Sequence, residues 1–493
     1  MAGNVGISQT QSIRNGNGYV SALIVLTSLF FMWGFITCMN DILIPFLKKA
    51  FELDRLQSML VQFSFFTAYF IGALLYFIIS ARAGDPINKI GYKNGILAGL
   101  FISALGCLLF YPAAHFRIFG LFLGALFVLA LGFTLLQIAA NPYVAILGKA
   151  ESASARLNLS QGFNSFGTAI APILGGYLVF HYFARWGKPL LNSSGQPILT
   201  DIGEPISAQG VQLPYLIFGG IFLLLMLLIG FSKLPAMENT EEIEPGAGAL
   251  KYRHLVLGII AIFMYVGGEV TIGSALINYM NESVGFPEME AKSFLAFYWG
   301  GAMIGRFLGA ISLSTIPGDL KKFSYMLAVA VVSFFVLYLF VYLESVESGI
   351  MFPLKRVVPF LLFIALNLGA FLLGRSLPGR TLMIFSFVAI LLLGINLTTT
   401  GMTAVWAVLG IGLFNSIMWS NIFTLAIRDL GKYTSQGSSL LIMAILGGAL
   451  IPVIQGAVAD SLGGYHYSFF VPIFSYIYLA YFGWKGHIVK KFE

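Results

Sequence analysis

The sequence predicts an all-α integral membrane protein of two related six-helix halves with an extra inserted helical hairpin, about 14 crossings in total. Three observations carry this. Of 493 residues, 58% are hydrophobic and only 10% are charged, whereas soluble domains carry about 25% charged residues. The apolar residues gather into runs close to the roughly 20 needed to span a bilayer. Segments of the first half also recur in the second.

In the first half the runs are 21–47, 59–80, 95–111, 118–147, 157–180 and 214–231. The second half holds 255–280, 293–314, 323–343, 357–373, 381–396, 403–427, 438–459 and 468–484. An even number of crossings puts both termini on one side. Polar residues 1–19 form an N-terminal tail without a signal-peptide pattern, and 487–493 form a C-terminal tail. Residues 20–233 make one bundle and 254–486 the other. Between them, 234–253 carries Glu238, Glu241, Glu242 and Glu244 and reads as the linker. Residues 182–213 are polar and form an external loop. Within them Asn192-Ser193-Ser194 is a sequon only by pattern.

Charge sets the orientation. With both termini inside, 18 of the 28 Lys and Arg lie on inner segments, nine lie outside, and Arg306 alone is within a run. That bias fits cytoplasmic termini, with Lys and Arg kept inside. The net charge of +7 then reflects membrane topology and not nucleic-acid binding. The two cysteines, Cys38 and Cys107, both lie in apolar runs and indicate neither a disulfide framework nor a metal site. The five histidines are scattered at run ends and loops, so no catalytic constellation points to an enzyme.

Two acids break the pattern. Asp41 and Glu269 lie inside the first and seventh runs, where an unpartnered charge costs about 3 kcal/mol or more. The two runs align without gaps: Phe31-Met32-Trp33 falls on Phe263-Met264-Tyr265, and Thr37 falls on Glu269. Thr37 and Asp41, four apart, share a helix face. Related helices therefore present an acid on the same face about one turn apart, as expected of ion machinery in a transporter built from repeats. The repeat extends to Leu131-Gly132-Phe133 through Asn141-Pro142-Tyr143, which aligns with Ile411-Gly412-Leu413 through Asn421-Ile422-Phe423. Ser160-Gln161-Gly162 likewise recurs as Ser435-Gln436-Gly437.

Longer stretches carry a resemblance. These are 39–45 (Met-Asn-Asp-Ile-Leu-Ile-Pro), 137–143 (Gln-Ile-Ala-Ala-Asn-Pro-Tyr), 161–167 (Gln-Gly-Phe-Asn-Ser-Phe-Gly), Tyr298-Trp299-Gly300-Gly301 with Gly305-Arg306, and 434–439. They resemble the major facilitator superfamily, and within it the fucose permease and glucose/galactose transporter branch. The match runs over roughly 20–315 and 380–486. It implies the major facilitator fold and alternating access around a central sugar site, driven by a cation gradient without a cofactor. The fucose branch places its proton-linked acids on helices 1 and 4; here helix 1 keeps Asp41, but Gln137 stands on helix 4 and cannot titrate. Glu269 on helix 7 is similar to the glucose/galactose branch. A sugar-contacting Asn of the fucose branch corresponds to Cys38. The superfamily's cytoplasmic loop signature is reduced to Gly84, Asn88, Lys89, Gly91 and Lys93. Residues 320–378 depart from the 12-helix plan and insert the hairpin, for which lipid-facing packing or a dimer contact is expected.

The candidate site follows. Asp41 and Glu269 couple the ion, H+ or Na+. Gln137, Gln161, Asn164, Asn415 and Asn421 supply amides for sugar hydroxyls, with Cys38 and Asn40 nearby on helix 1; Trp419 or Tyr298 offers a ring to stack on the sugar. Gln161 and Asn164, three apart, share a face. Arg306 and Lys89 are gate elements, although Arg306 could instead pair with Glu269. The expected protein is a monomeric hexose/cation symporter of a bacterial inner membrane. An N-acetylated amino sugar is the alternative substrate, and a proton-driven exporter is the alternative of another kind.

Overall fold

The computed structural model describes residues 17–51, 53, 55–183, 186–192, 194–199, 205–232, 234–235, 245–347, 349 and 352–492. The first six runs appear as α1 (Asn17–Ala50), α2 (Arg55–Ala83), α4 (Tyr92–Phe116), α5 (Phe119–Ile146), α6 (Ala153–Tyr177) and α7 (Gln209–Phe231), with a short α3 (Pro86–Ile90) in the loop before α4. The next runs appear as α8 (Arg253–Val284), α9 (Glu288–Ser312), α10 (Asp319–Glu347), α11 (Val358–Gly374) and α12 (Pro378–Thr398). The last three crossings are interrupted: α13 (Gly401–Asn415) with α14 (Met418–Ala426), α15 (Thr434–Met443) with α16 (Gly447–Leu462), and α17 (Tyr465–Ser468) with α18 (Val471–Tyr481).

Among the described residues, eleven helical segments are long and apolar enough to cross a membrane unaided. The other three predicted crossings fall short for visible reasons. Helix α6 carries Asn158, Ser160, Gln161, Asn164 and Ser165 and is too polar by composition. Helix α11 has 17 residues. Helix α18 is 11 residues long and continues as a π-helical turn, Phe482–Gly486.

The chain divides into two compact units. The first holds the described residues up to Tyr143 together with Phe166–Pro245. Its core is aromatic: Phe133 lies 6.4 Å from Trp33, 6.3 Å from Phe65 and 5.8 Å from Phe222. Asp85 caps α3 by accepting from the Asn88 N–H at 3.1 Å, and it also accepts from the hydroxyls of Tyr76 (2.7 Å) and Ser80 (2.9 Å). Lys93 donates to the Gly230 and Ser232 carbonyls at the end of α7, where the helix dipole favours a cation.

The second unit holds Val144–Ser165 and Gly246–Glu493, apart from the residues outside the description. The division therefore assigns the N-terminal part of α6 to the second unit, which a split at the linker does not anticipate. Local contacts account for it. Ser154 and Thr424 hydroxyls meet at 2.6 Å, and Asn158 Nδ2 donates to Asn421 Oδ1 at 3.3 Å. The hairpin α10–α11 packs on α9 through Phe334, Phe360 and Phe297. Val332, Phe335, Leu362 and Leu373 stay exposed, as side chains facing lipid must. At the other end, the C-terminal residues pair with the segment before α8: Arg253 N–H donates to the Lys490 carbonyl and Phe492 N–H to that of Lys251.

Each unit has one glycine that admits its aligned phenylalanine backbone. A Cβ on Gly167 would collide with the Phe31 carbonyl, and one on Gly447 with the Phe263 carbonyl. Phe31 and Phe263 are the residues that the repeat aligns. Both halves thus use glycine for close helix approach.

Candidate functional site

The best-defined polar centre lies in the second unit, around Glu269. It stands near the middle of α8 and is 9% exposed. Gly267 and Gly268 precede it and let α16 and α18 close in: Cβ atoms there would press on Ile451 and Ser475. Arg306 Nη2 lies 3.7 Å from Glu269 Oε1. Tyr265, one turn earlier on α8, turns its hydroxyl toward the same carboxylate. Pairing offsets the desolvation that an isolated charge would suffer here.

Arg306 is held by more than its acid. Its Nε donates to the Ser416 carbonyl at 3.2 Å and its Nη1 to Ser165 Oγ. Ser416 lies in the break between α13 and α14, where the regular backbone bonds lapse and leave carbonyls available. Interrupted membrane helices are tolerated only where such groups find new partners. The Leu413 carbonyl finds two, Ser416 Oγ at 2.6 Å and Asn367 Nδ2 at 3.0 Å.

A chain of three hydrogen bonds ties the break to Glu269. Tyr476 OH donates to Asn415 Oδ1, Asn415 Nδ2 donates to Tyr298 OH, and Tyr298 OH donates to the Glu269 backbone carbonyl, each at 2.8 Å. An amide can only donate from nitrogen and accept at oxygen, so this chain has one direction. It joins α18, α13, α9 and α8. The arrangement holds a carboxylate in an apolar interior against a cation that has other acceptors. Protonation of Glu269, or a competing cation, would release Arg306 without leaving it unpartnered.

The other expected residues are placed as follows. Asn40 and Asp41 lie on the α1 backbone, but their side chains lie outside the described residues. Cys38 is half-buried on the same helix and forms no disulfide. Gln137 is buried on α5 beside the Tyr69 hydroxyl, which also neighbours Trp33. On α6, Gln161 is buried and Asn164 half-buried. Asn421 is fully buried and donates to the Pro378 carbonyl at 3.1 Å, while its oxygen accepts from Asn158. Asn415 and Asn421 therefore both engage protein groups. Trp419 is buried on α14, and among the described residues its indole N–H meets no protein acceptor; it is a donor available to a ligand. Lys89 is exposed and donates to the Ala83 carbonyl at 2.5 Å. Arg306 sits six residues before the end of α9, about 9 Å inside the helix, and it contacts Glu269 directly.

Sequence reading missed Ser416, Tyr476 and Asn367. For Asn367 a signal existed: it is the sole polar side chain of α11. Among the described residues, no three His, Cys, Asp or Glu side chains gather to hold a metal ion.

Residues 22–354 match the Major Facilitator Superfamily. Over 484 residues the chain is 42% identical to a glucose/galactose transporter of Brucella abortus, covering 97% of this chain and 96% of that protein. It is 38% identical to a putative glucose/galactose transporter of Helicobacter pylori, covering 94% and 97%. Identity to the L-fucose-proton symporter of Escherichia coli is 32%, covering 94% and 93%. The crystal structure of a major facilitator transporter, FucP, in the outward conformation is similar with a TM-score of 0.71 at 28% identity. That likeness covers 95% of this chain and 99% of the other.

Proposed function

The chain belongs to the major facilitator superfamily, and on that premise we propose that it is a cation-coupled hexose importer taking glucose or galactose by alternating access. One observation carries the reading: 42% identity to a glucose/galactose transporter along 97% of the chain. The Glu269–Arg306 pair at 3.7 Å supplies the chemistry. Glu269, with Asp41 on α1, takes the co-transported H+ or Na+. Arg306 neutralises Glu269 when no ion is bound and is displaced when one is. No cofactor is involved.

Gln137, Gln161, Asn164 and the Trp419 indole N–H contact the sugar. Asn415 and Asn421, whose amides serve other protein groups, shape the site without touching it. Lys89 and its loop serve as the cytoplasmic gate. The protein works as a monomer in a bacterial inner membrane with both termini cytoplasmic. Residues 20–233 and 254–486 form its two functional halves, joined by 234–253.

The test is a D-glucose jump on proteoliposomes without sodium, reading internal pH. Internal acidification that disappears in Glu269→Gln supports proton-coupled hexose uptake. Glucose uptake that appears only after sodium is added, with no internal acidification, keeps the sugar and makes sodium the ion. No response under either condition, with L-fucose moving protons instead, overturns the hexose assignment.

A further inference from the structure

The inserted hairpin has a feature that lipid-facing packing does not need. Helix α11 reads Val-Pro-Phe-Leu-Leu-Phe-Ile-Ala-Leu-Asn-Leu-Gly-Ala-Phe-Leu-Leu-Gly. Its one polar side chain, Asn367, is fully buried, and among the described residues no protein group reaches its Oδ1. A buried amide in an apolar helix is unfavourable unless it meets a partner. Its Nδ2 meets one particular partner, the Leu413 carbonyl, at 3.0 Å. Leu413 stands one turn before Ile417, so its carbonyl is one of those released by the α13–α14 break.

The hairpin is also seated against this stretch. A Cβ on Gly410 would run into the Phe363 ring, and Phe360 lies 6.4 Å from Trp406. Two and three residues beyond Leu413 come Asn415, which holds Tyr298 on the Glu269 carbonyl, and Ser416, which holds Arg306. The break therefore fixes both members of the ion pair, and Asn367 fixes the break.

We propose that the inserted hairpin is a positioning element of the coupling site, with Asn367 setting the geometry of the Glu269–Arg306 pair through the Leu413 carbonyl. This rests on the coupling role given to Glu269 above. Among the described residues, the titratable and charged groups facing Glu269 are Arg306 and Tyr298 from α9, Tyr265 from α8 and Tyr476 from α18. None belongs to the hairpin, so Asn367 acts on Glu269 only by position.

The experiment uses the full chain in proteoliposomes. Glu269 protonation is followed by its infrared carboxyl band, identified as the band lost in Glu269→Gln, while D-glucose uptake is measured in parallel. Asn367→Leu keeps the size and removes the donor. It should move the protonation midpoint by about half a pH unit or more, the equivalent of one hydrogen bond, and leave the glucose KM within about twofold. Asn367→Gln, which keeps a donor, should restore part of the shift. Phe363→Leu, which trims packing on the same helix, should leave the midpoint in place. An unchanged midpoint in Asn367→Leu overturns the proposal, whether KM is unchanged (the hairpin only packs) or rises roughly tenfold (Asn367 serves the sugar). If Asn367→Leu does not accumulate, Asn367→Ala is read the same way. Absence of glucose uptake by the unmodified chain would sink the hexose reading, yet the infrared midpoint would still decide this one.

Discussion

Arg306 approaches Glu269 to 3.7 Å while its Nε donates to the Ser416 carbonyl at 3.2 Å. One guanidinium thus joins the buried acid of α8 to the break between α13 and α14. A planar fork with several donors suits this double duty, whereas an ammonium would not.

Arg306→Ala should therefore abolish uphill uptake and destabilise the detergent-solubilised protein by about 3 kcal/mol, since it strands a buried carboxylate. Arg306→Lys should recover stability in part and uptake hardly at all. Thermal unfolding alongside cation-gradient-driven uptake reads both. Wild-type accumulation by Arg306→Ala would remove the pair from the coupling mechanism.

The two repeated Ser-Gln-Gly triplets should separate on mutation. Gln436 Oε1 accepts from the Ala249 N–H at 2.9 Å and its Nε2 donates to the Gly246 carbonyl at 3.2 Å, so it holds the end of the linker. Gln436→Ala should cost about 1–2 kcal/mol of stability with little change in glucose KM. Gln161→Ala should do the reverse, raising KM by roughly tenfold. Equal effects of the two on KM would place both at the sugar.

Asp85 organises the loop between α2 and α4 with three accepted hydrogen bonds. Asp85→Ala would remove the helix cap and the acceptor shared by two hydroxyls and should cost about 2 kcal/mol or more. Limited proteolysis should then cut near residues 84–91. Resistance equal to that of the unmodified protein would count against the cap.

His487 lies beyond the last crossing. Burial holds its pKa below the ordinary imidazole value, and nearby Arg428 adds to this, while the Phe482 carbonyl opposes it. The folded state thus binds the proton less readily than the unfolded chain. Its contribution to stability is full above the unfolded value, about 6.5, and is lost as pH falls through the folded value. His487→Gln should flatten the fall in melting temperature below that pH. A slope unchanged by the substitution would assign the acid sensitivity elsewhere.

Much of this molecule was legible in the chain itself. Run length and hydropathy located a helical segment for each of the fourteen runs, eleven of them long and apolar enough to span among the described residues, because crossing a bilayer is a local requirement on about 20 consecutive residues. Glu269 announced itself as an acid in an apolar run, and Phe31 and Phe263 sit in segments whose repeat could be read by eye. Asn415 shows where that reading stops. As an amide in run 403–427 it reads as a sugar-binding candidate, and nothing local shows that Tyr298 and Tyr476 engage its nitrogen and its oxygen.

The sequence by itself determined the helices, the repeat, the intramembrane acid and the family, because each is written in neighbouring residues or in their recurrence. Only the tertiary structure decided that Arg306 meets Glu269, that Asn415 serves tyrosines, and that Asn367 of an inserted hairpin holds the Leu413 carbonyl. These partners lie 37 to 117 residues apart in the chain. They meet only through the way helices pack, and no local pattern encodes that.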